Sequence, residues 1–416
     1  MTTVDLRTRS DNDTLSVDVA TFVDEHLPAL LHARGPESGR AAMRLELVTL
    51  SFDVEGRQFS LAVDEGSLEV RHGLGESLVV ALDADAFSDL IGDVVSTFGL
   101  TALGRATIRA GSVDDFVAWE PVLRHLFDGR VVYEPGTIEF VDLGGSPLEL
   151  RRSFTLDSDP DEMGHFLAQA GFLHIENVFS KAEMASVSRD LDEAIATAHH
   201  DDGASWWAET EEGERYPARI LGFNQKSPAL RALLHSDRFA AIGTLTSDRY
   251  EQRNPDVGDS AEGLLKKVRV IEGISDVSWH KDCAMGGHSR YCCGLTVGLS
   301  VTGAGRNSGE LGVVAGSHRA NVAPLGVESL DLPRLPLPTR TGDVTVHCSC
   351  TLHMSRPPVS AERRVVYTGF GLAPRPGDQG VERTPEEIRR DRARLGDQVR
   401  RQQRQASGAR TASFEL

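Results

Sequence analysis

From residue 264 onward the chain is a succession of short β-type runs, LLKKVRVIEG, YCCGLTVGLSV, GELGVVAG, DVTVHCSC and RRVVYTGFGL, each cut off by Gly, Pro or Asn. Many short strands with this punctuation bury their backbone polar groups only by closing on one another, so they predict a closed or double-sheet all-β unit. The approach to it is helical. Met163, Phe166 and Leu167 mark one helical face that runs into Gly171, a strand FLHIENV and a second helix. Ser180 and Glu183 have the spacing of a capping box at that helix's start. The segment HHDDGASWWAETEEGE beyond 198 reads as a polar insertion. Its Trp206 and Trp207 belong either to a functional lid or to a surface loop folded back on the core.

The N-terminal part has a different grammar. Val19, Phe22, Val23, Leu27, Leu30 and Leu31 lie at helical spacing over 19–33, and Gly/Pro/Ser residues at 35–39 are expected to break that helix. Three β-type runs, LELVTLSFDV, FSLAVDEG and LEVRHG, follow. A fourth, SLVVALD, leads into a helix, and 99–130 reads as strand, Gly turn and closing helix. The expected division is a flexible N-terminus at 1–17, a small α/β domain at 18–135, a linker at 136–152 with one or two short strands nearby, a main domain at 153–380 and a charged tail at 381–416. The fold class is therefore α+β with two domains. The Arg- and Gln-rich tail reads as a solvated helix followed by disorder.

Charge narrows the partners. Forty-four Lys and Arg against 62 Asp and Glu leave a net charge of −18, which gives no general attraction to phosphate backbones or anionic lipid. The expected partner is a small molecule, with no nucleic acid and no stable membrane insertion. The N-terminal residues lack a secretory pattern and no run approaches the ~18 apolar residues of a membrane span, so a cytoplasmic protein is expected. Cys283, Cys292, Cys293, Cys348 and Cys350 are an odd set and read as reduced thiols.

The chemistry gathers at Trp279-His280-Lys281-Asp282 and at His353. Two imidazoles and one carboxylate on one face of a metal leave positions open for a bidentate co-substrate and O₂, which is the requirement of non-haem Fe(II). At the end of a strand, residues i and i+2 project to the same side, so His280 and Asp282 can grip one metal from a single segment. His347 and His318 are rival third ligands. His347 with Cys348, Cys350 and His353 lacks the Cys-x-x-Cys spacing of zinc modules. No phosphate loop, nucleophile elbow or His-Glu-x-x-His motif competes.

NSGELGVVAGSHR at 307–319 and TGDVTVHCSCTLHMSRPPVSAERRVVYTGF at 341–370 frame these residues, and with the helix, GFLHIENV, helix entry they resemble the phytanoyl-CoA dioxygenase family over most of 160–373. The resemblance implies a double-stranded β-helix (cupin-like jelly roll) with flanking helices. It also implies Fe(II) held by His280, Asp282 and His353, with 2-oxoglutarate as co-substrate and O₂ as oxidant. The far carboxylate of 2-oxoglutarate needs a cationic fork, and the family's arginine eleven positions after the His falls on Arg364, with Ser355 adding a hydrogen bond. Arg363 is the rival, since a one-residue error in register exchanges the two. Lys267 or Arg269, on the strand before the His-x-Asp segment, could also reach the co-substrate. Lys281 is expected to point away from the metal and Trp279 to pack beneath it.

Residues 18–132, with an Asp-rich helix and the strand Gly104-Arg-Ala-Thr-Ile-Arg-Ala-Gly-Ser112, resemble the sterol-carrier-protein-2-like fold. That implies a lipid tunnel, against a domain that only packs or dimerises, with a homodimer one outcome. The function so implied is an iron- and 2-oxoglutarate-dependent dioxygenase hydroxylating, or otherwise oxidising, an unactivated C–H bond of an apolar steroid, isoprenoid or acyl compound. The alternatives are an oxygenase of a small polar metabolite with a structural N-terminal domain, and a non-catalytic lipid carrier.

Overall fold

The computed structural model describes residues 16–200, 202–248, 250–273, 277–284 and 294–372. Most of the N-terminal segment, Cys292, Cys293 and the charged tail lie outside the described residues. The chain divides into two compact units, Met1–Thr137 with Lys281–Tyr291 and Arg319–Asp331, and Ile138–His280 with Cys292–His318 and Leu332–Leu416.

In the first unit, strands β1 (Leu50–Val54), β2 (Arg57–Asp64), β3 (Ser67–His72), β4 (Leu78–Leu82) and β5 (Ala106–Ala110) form one sheet in the order β3-β2-β1-β4-β5. All pairs are antiparallel except β1 with β4. Phe52, Phe59, Phe87 and Phe116 fill its core, together with Trp119 from the junction of the closing helices. The opening helix corrects the sequence expectation, because it does not break at 35–39. It continues through Pro36 to Arg44, with a π-helical turn at Phe22–His26. Gly35 and Gly39 are there for contact: a Cβ on Gly39 would stand 2.5 Å from the Gly66 carbonyl oxygen, so only glycine lets the helix lie this close to β3.

The second unit opens with a turn in place of the expected linker strands, since 133–150 holds only an isolated bridge between Val141 and Pro147. Strands β6 (Phe172–Ile175), β7 (Ser205–Thr210), β8 (Arg215–Ile220), β9 (Glu251–Gln252), β10 (Glu262–Lys266), β11 (Val270–Glu272), β12 (Val277–His280), β13 (Gly294–Ser300), β14 (Leu311–Val314), β15 (Arg334–Leu337), β16 (Val344–Cys348), β17 (His353–Ser355) and β18 (Arg363–Gly371) make two sheets. The larger runs β11-β7-β8-β10-β18-β13-β16-β6, with β9 beside β18, and the smaller runs β12-β17-β14-β15. Two further expectations are corrected here. The Trp206-Trp207 segment is no loop but the β7–β8 hairpin, and the run at 264–273 is two strands parted by a turn in which Arg269 has φ 54°.

The helix Pro160–Ala170 ends on Gly171, whose φ of 82° is the left-handed C-cap conformation. Around this glycine the chain converges. Its carbonyl accepts from Cys348 N at 2.9 Å and from Thr351 Oγ1 at 2.7 Å, while Gly316 N donates to the Ala170 carbonyl. A Cβ at Gly171 would lie 2.4 Å from His318 Nδ1. His318 Nε2 is bonded to the Ala168 carbonyl, so this histidine braces the helix end.

The next helix, Lys181–Thr197, carries the expected capping box, with Glu183 N donating to Ser180 Oγ and Ser180 N donating to Glu183 Oε2. The hydrogen bond from Arg238 and then that from Ser180 N hold the Glu183 carboxyl down at about 2. Because its folded value lies below its unfolded one, this stabilisation is present above the ordinary carboxylate range and is lost as pH falls towards 2. Ser180→Ala is expected to cost about 1 kcal/mol, read as a lowered denaturation midpoint at pH 7. An unchanged midpoint would remove the cap from the helix's stability.

Candidate active site

The metal-binding residues meet where β12 pairs with β17, His280 opposite His353. Their rings lie 4.1 Å apart between centroids, and one ligand atom from each of His280, Asp282 and His353 falls within 4.8 Å of the others. His353 is buried, and His280 and Asp282 are half-buried. The β12 strand ends at His280 and Asp282 opens a 3₁₀ turn, so the two are joined by a change of chain direction and not by strand alternation. His280 Nδ1 is 2.7 Å from the Ser278 carbonyl and His353 Nδ1 is 2.9 Å from that of Thr351. With Nδ1–H donating to a carbonyl, the lone pair of each ring is left on Nε2, the tautomer a metal needs. Two neutral imidazoles and one carboxylate fit Fe(II) with open positions, and Trp279 is buried beside them.

Strand alternation on β18 sends the two arginines to opposite faces of the sheet. Arg364 turns to the helix Lys181–Thr197, where its Nη1 lies 2.8 Å from Ser188 Oγ and 2.7 Å from Asp192 Oδ1. Arg363 turns the other way and is 3% exposed, with Nη1 donating to the Gly309 carbonyl at 2.8 Å. On β10 the same parity separates the two lysines. Lys267 bonds Glu214 at 2.6 Å and lies over the Tyr216 ring, while Lys266, paired in register with Arg363, is 1% exposed. Lys266 Nζ donates to Ser355 Oγ and to the Arg356 carbonyl, both at 2.7 Å. Arg269 pairs with Glu212, and Lys281 Nζ donates to the Ala320 carbonyl at 3.2 Å.

Ser355 stands on β17 two residues beyond His353, so the Lys266 ammonium reaches the strand that carries the metal ligand. Glu310 is the acid nearby, 3.4 Å from Arg356 Nη1. Burial pushes its carboxyl up, partly countered by Arg356, Arg306 and Arg363. Arg356, Arg306 and Arg363 all act to lower this carboxyl, so cationic side chains cluster at this end of the interior.

Residues 167–366 match the sequence model of the family described as phytanoyl-CoA dioxygenase (PhyH). The match covers 200 of the 416 residues, so this part of the chain is similar to that family. The family consists of non-haem iron, 2-oxoglutarate-dependent enzymes, and the His280, Asp282 and His353 donor set is of that kind. Among solved structures, AviO1 from Streptomyces viridochromogenes Tue57 is 20% identical with a TM-score of 0.41, covering 51% of this chain and 95% of its own. The non-haem α-ketoglutarate-dependent carbocyclase SnoK from nogalamycin biosynthesis is 19% identical with a TM-score of 0.41, covering 55% and 92%. HygX from Streptomyces hygroscopicus, with nickel and 2-oxoglutarate bound, is 18% identical with a TM-score of 0.39, covering 51% and 87%. No curated protein matches the chain significantly.

Within the matched region, Lys266, Arg356 and Glu310 stand near Ser355 and Arg363, and sequence reasoning named none of the three. Lys266-Lys267 and Arg363-Arg364 are doublets followed by or following apolar residues of both parities, so charge alone could not choose a face. The signal that could have chosen was register against β8 and β13. His347 is buried with its ring 4.1 Å from that of His353, yet it is not one of the three residues whose ligand atoms converge. Cys283, Cys348 and Cys350 are buried. Among the described residues, no helix is long and apolar enough to cross a membrane.

Proposed function

We propose that the chain hydroxylates an unactivated C–H bond of an organic small molecule, with His280, Asp282 and His353 as iron ligands and Lys266, Arg363 and Ser355 as the holders of the distal 2-oxoglutarate carboxylate. The observation that carries the second half is the in-register pair of buried cations, Lys266 and Arg363, beside Ser355 on the strand of His353. Arg363 Nε is buried without a hydrogen-bond partner among the described residues, so a donor remains for a carboxylate oxygen. When bound, iron activates O₂, so that 2-oxoglutarate is oxidised to succinate and CO₂ and the second oxygen atom enters the C–H bond.

The chain's own groups do the rest. Ser278 and Thr351 carbonyls fix the ligand tautomers, Lys266 and Arg363 set the direction in which 2-oxoglutarate lies, and the sheets exclude water from the interior. Asp282 occupies the position that a halide would need, which favours hydroxylation over halogenation. An apolar substrate rests only on the sterol-carrier-like reading of residues 18–135. What supports that reading is the order of elements around the five-stranded sheet. Lipid extraction of the purified full chain should release a sterol or acyl species in stoichiometric amount, and an extract without one leaves that unit a packing or dimerising role.

The site is tested by anaerobic addition of Fe(II) and 2-oxoglutarate to the full chain. A visible charge-transfer band, followed by succinate on admission of O₂, is expected. Neither band nor succinate would overturn the proposal.

A further inference from the structure

The inner face of the large sheet continues past the cations towards β7, and what it carries there bears on the substrate. Lys266, Leu264 and Glu262 share one face of β10. Leu264 is in register with Arg219 on β8, and Arg219 with Trp206 on β7. Glu262 is in register with Tyr367, which shares the Arg363 face of β18. A row of Trp206, Arg219, Glu262 and Tyr367 thus crosses four neighbouring strands on the side that Lys266 and Arg363 occupy. The opposite side of these strands faces helices, as Ile220 and Val366 show in one core with Leu191.

The row is not a solvated surface pair of charges. Arg219 Nη1 donates to Glu262 Oε2 at 2.7 Å, with side chains 18% and 33% exposed, and the Arg219 guanidinium stands 5.5 Å from the Trp206 ring centroid. Arg219 Nε is buried with no hydrogen-bond partner among the described residues. A lone carboxylate oxygen, an unmet N–H donor and an indole face side by side suit a ring that presents C–H bonds on its face and hydroxyls on its edge. A hydrocarbon there would leave the donor unmet and desolvate an ion pair for nothing.

We propose that Trp206, Arg219 and Glu262 are the substrate-recognising wall of this enzyme and that the substrate is a polyhydroxylated ring of glycoside type. The proposal rests on the oxygenase reading above, and it departs from the apolar substrate class. Trp206 stacks on the ring, the Arg219–Glu262 pair reads its hydroxyls, and the C–H bond to be oxidised is turned towards His280, Asp282 and His353.

The test uses the full chain loaded anaerobically with Fe(II) and 2-oxoglutarate. One probe panel holds aryl and alkyl glycosides with di- and trisaccharides, and a second holds cholesterol, geranylgeraniol and palmitate. Tryptophan emission is read before O₂ and succinate after it. Glycosides are expected to shift the emission and raise succinate formation, and Trp206→Phe to remove the shift. Arg219→Met and the isosteric Glu262→Gln are each expected to raise the half-saturating concentration about tenfold while the charge-transfer band stays intact. Stimulation by the hydrocarbon panel, no response to any glycoside, or variants with unaltered half-saturation would overturn the proposal. Absence of the band in the unaltered protein would instead overturn the oxygenase reading beneath it.

Discussion

Asp282→Ala is expected to bring succinate formation to background and to abolish the charge-transfer band at Fe(II) concentrations that saturate the unaltered protein. The carboxylate is the one anionic member of the triad, so its loss removes both a ligand and the charge that offsets the cation. The two histidines remain paired across β12 and β17, and the fold should survive, because Asp282 stands in a turn at the end of the strand. Iron retained after gel filtration, set beside the far-ultraviolet circular dichroism spectrum, separates lost metal from lost structure. A variant that keeps the band would remove Asp282 from the ligand set. His353→Gln should behave the same way, with some added loss of stability because its ring is buried between those of His280 and His347.

The second large effect discriminates between adjacent residues. Arg363→Met is expected to raise the 2-oxoglutarate concentration for half-maximal band formation about 100-fold, the equivalent of roughly 3 kcal/mol for one desolvated charge-assisted contact. Lys266→Met should act in the same direction. Arg364→Met, by contrast, should leave it within about twofold, since it removes only the partly exposed pair with Asp192, of a kind that contributes about 0–1 kcal/mol. Isothermal titration under nitrogen gives both numbers directly. A loss of co-substrate affinity confined to Arg364→Met would reverse the assignment and restore the arginine eleven residues after His353.

That outcome would be informative because the His280, Asp282 and His353 triad was legible in the sequence, whereas the face that each basic doublet presents was not. His280, Asp282 and His353 stand in a frame of Gly-Ser-His, Gly-Asp and His-x-Ser that sets them apart from the rival His347 and His318, and they converge in the structure. The basic doublets offer no such contrast. Val365 and Val366 are both buried, one towards the interior and one towards the helices, so the apolar pattern that usually fixes strand parity is silent on β18. Turn and loop readings failed for another physical reason. Gly35 and Gly39 break helices by propensity but were kept in one by the closeness of β3, and the polar residues around Trp206 and Trp207 sit on a hairpin whose ladder supplies what their propensities do not. Tertiary contact overrode local preference in both places.

The junction at Gly171 ties two otherwise separate events. The carbonyl of this glycine receives Thr351 Oγ1, and the Thr351 carbonyl receives the His353 ring, so a single residue links the end of the Pro160–Ala170 helix to a metal ligand. Undocking of the helix end is therefore expected to loosen the segment that orients the imidazole. Iron concentration then becomes a thermodynamic lever on the helix. Raising it should slow amide exchange in the last turn before Gly171, by the same free energy with which undocking weakens the metal.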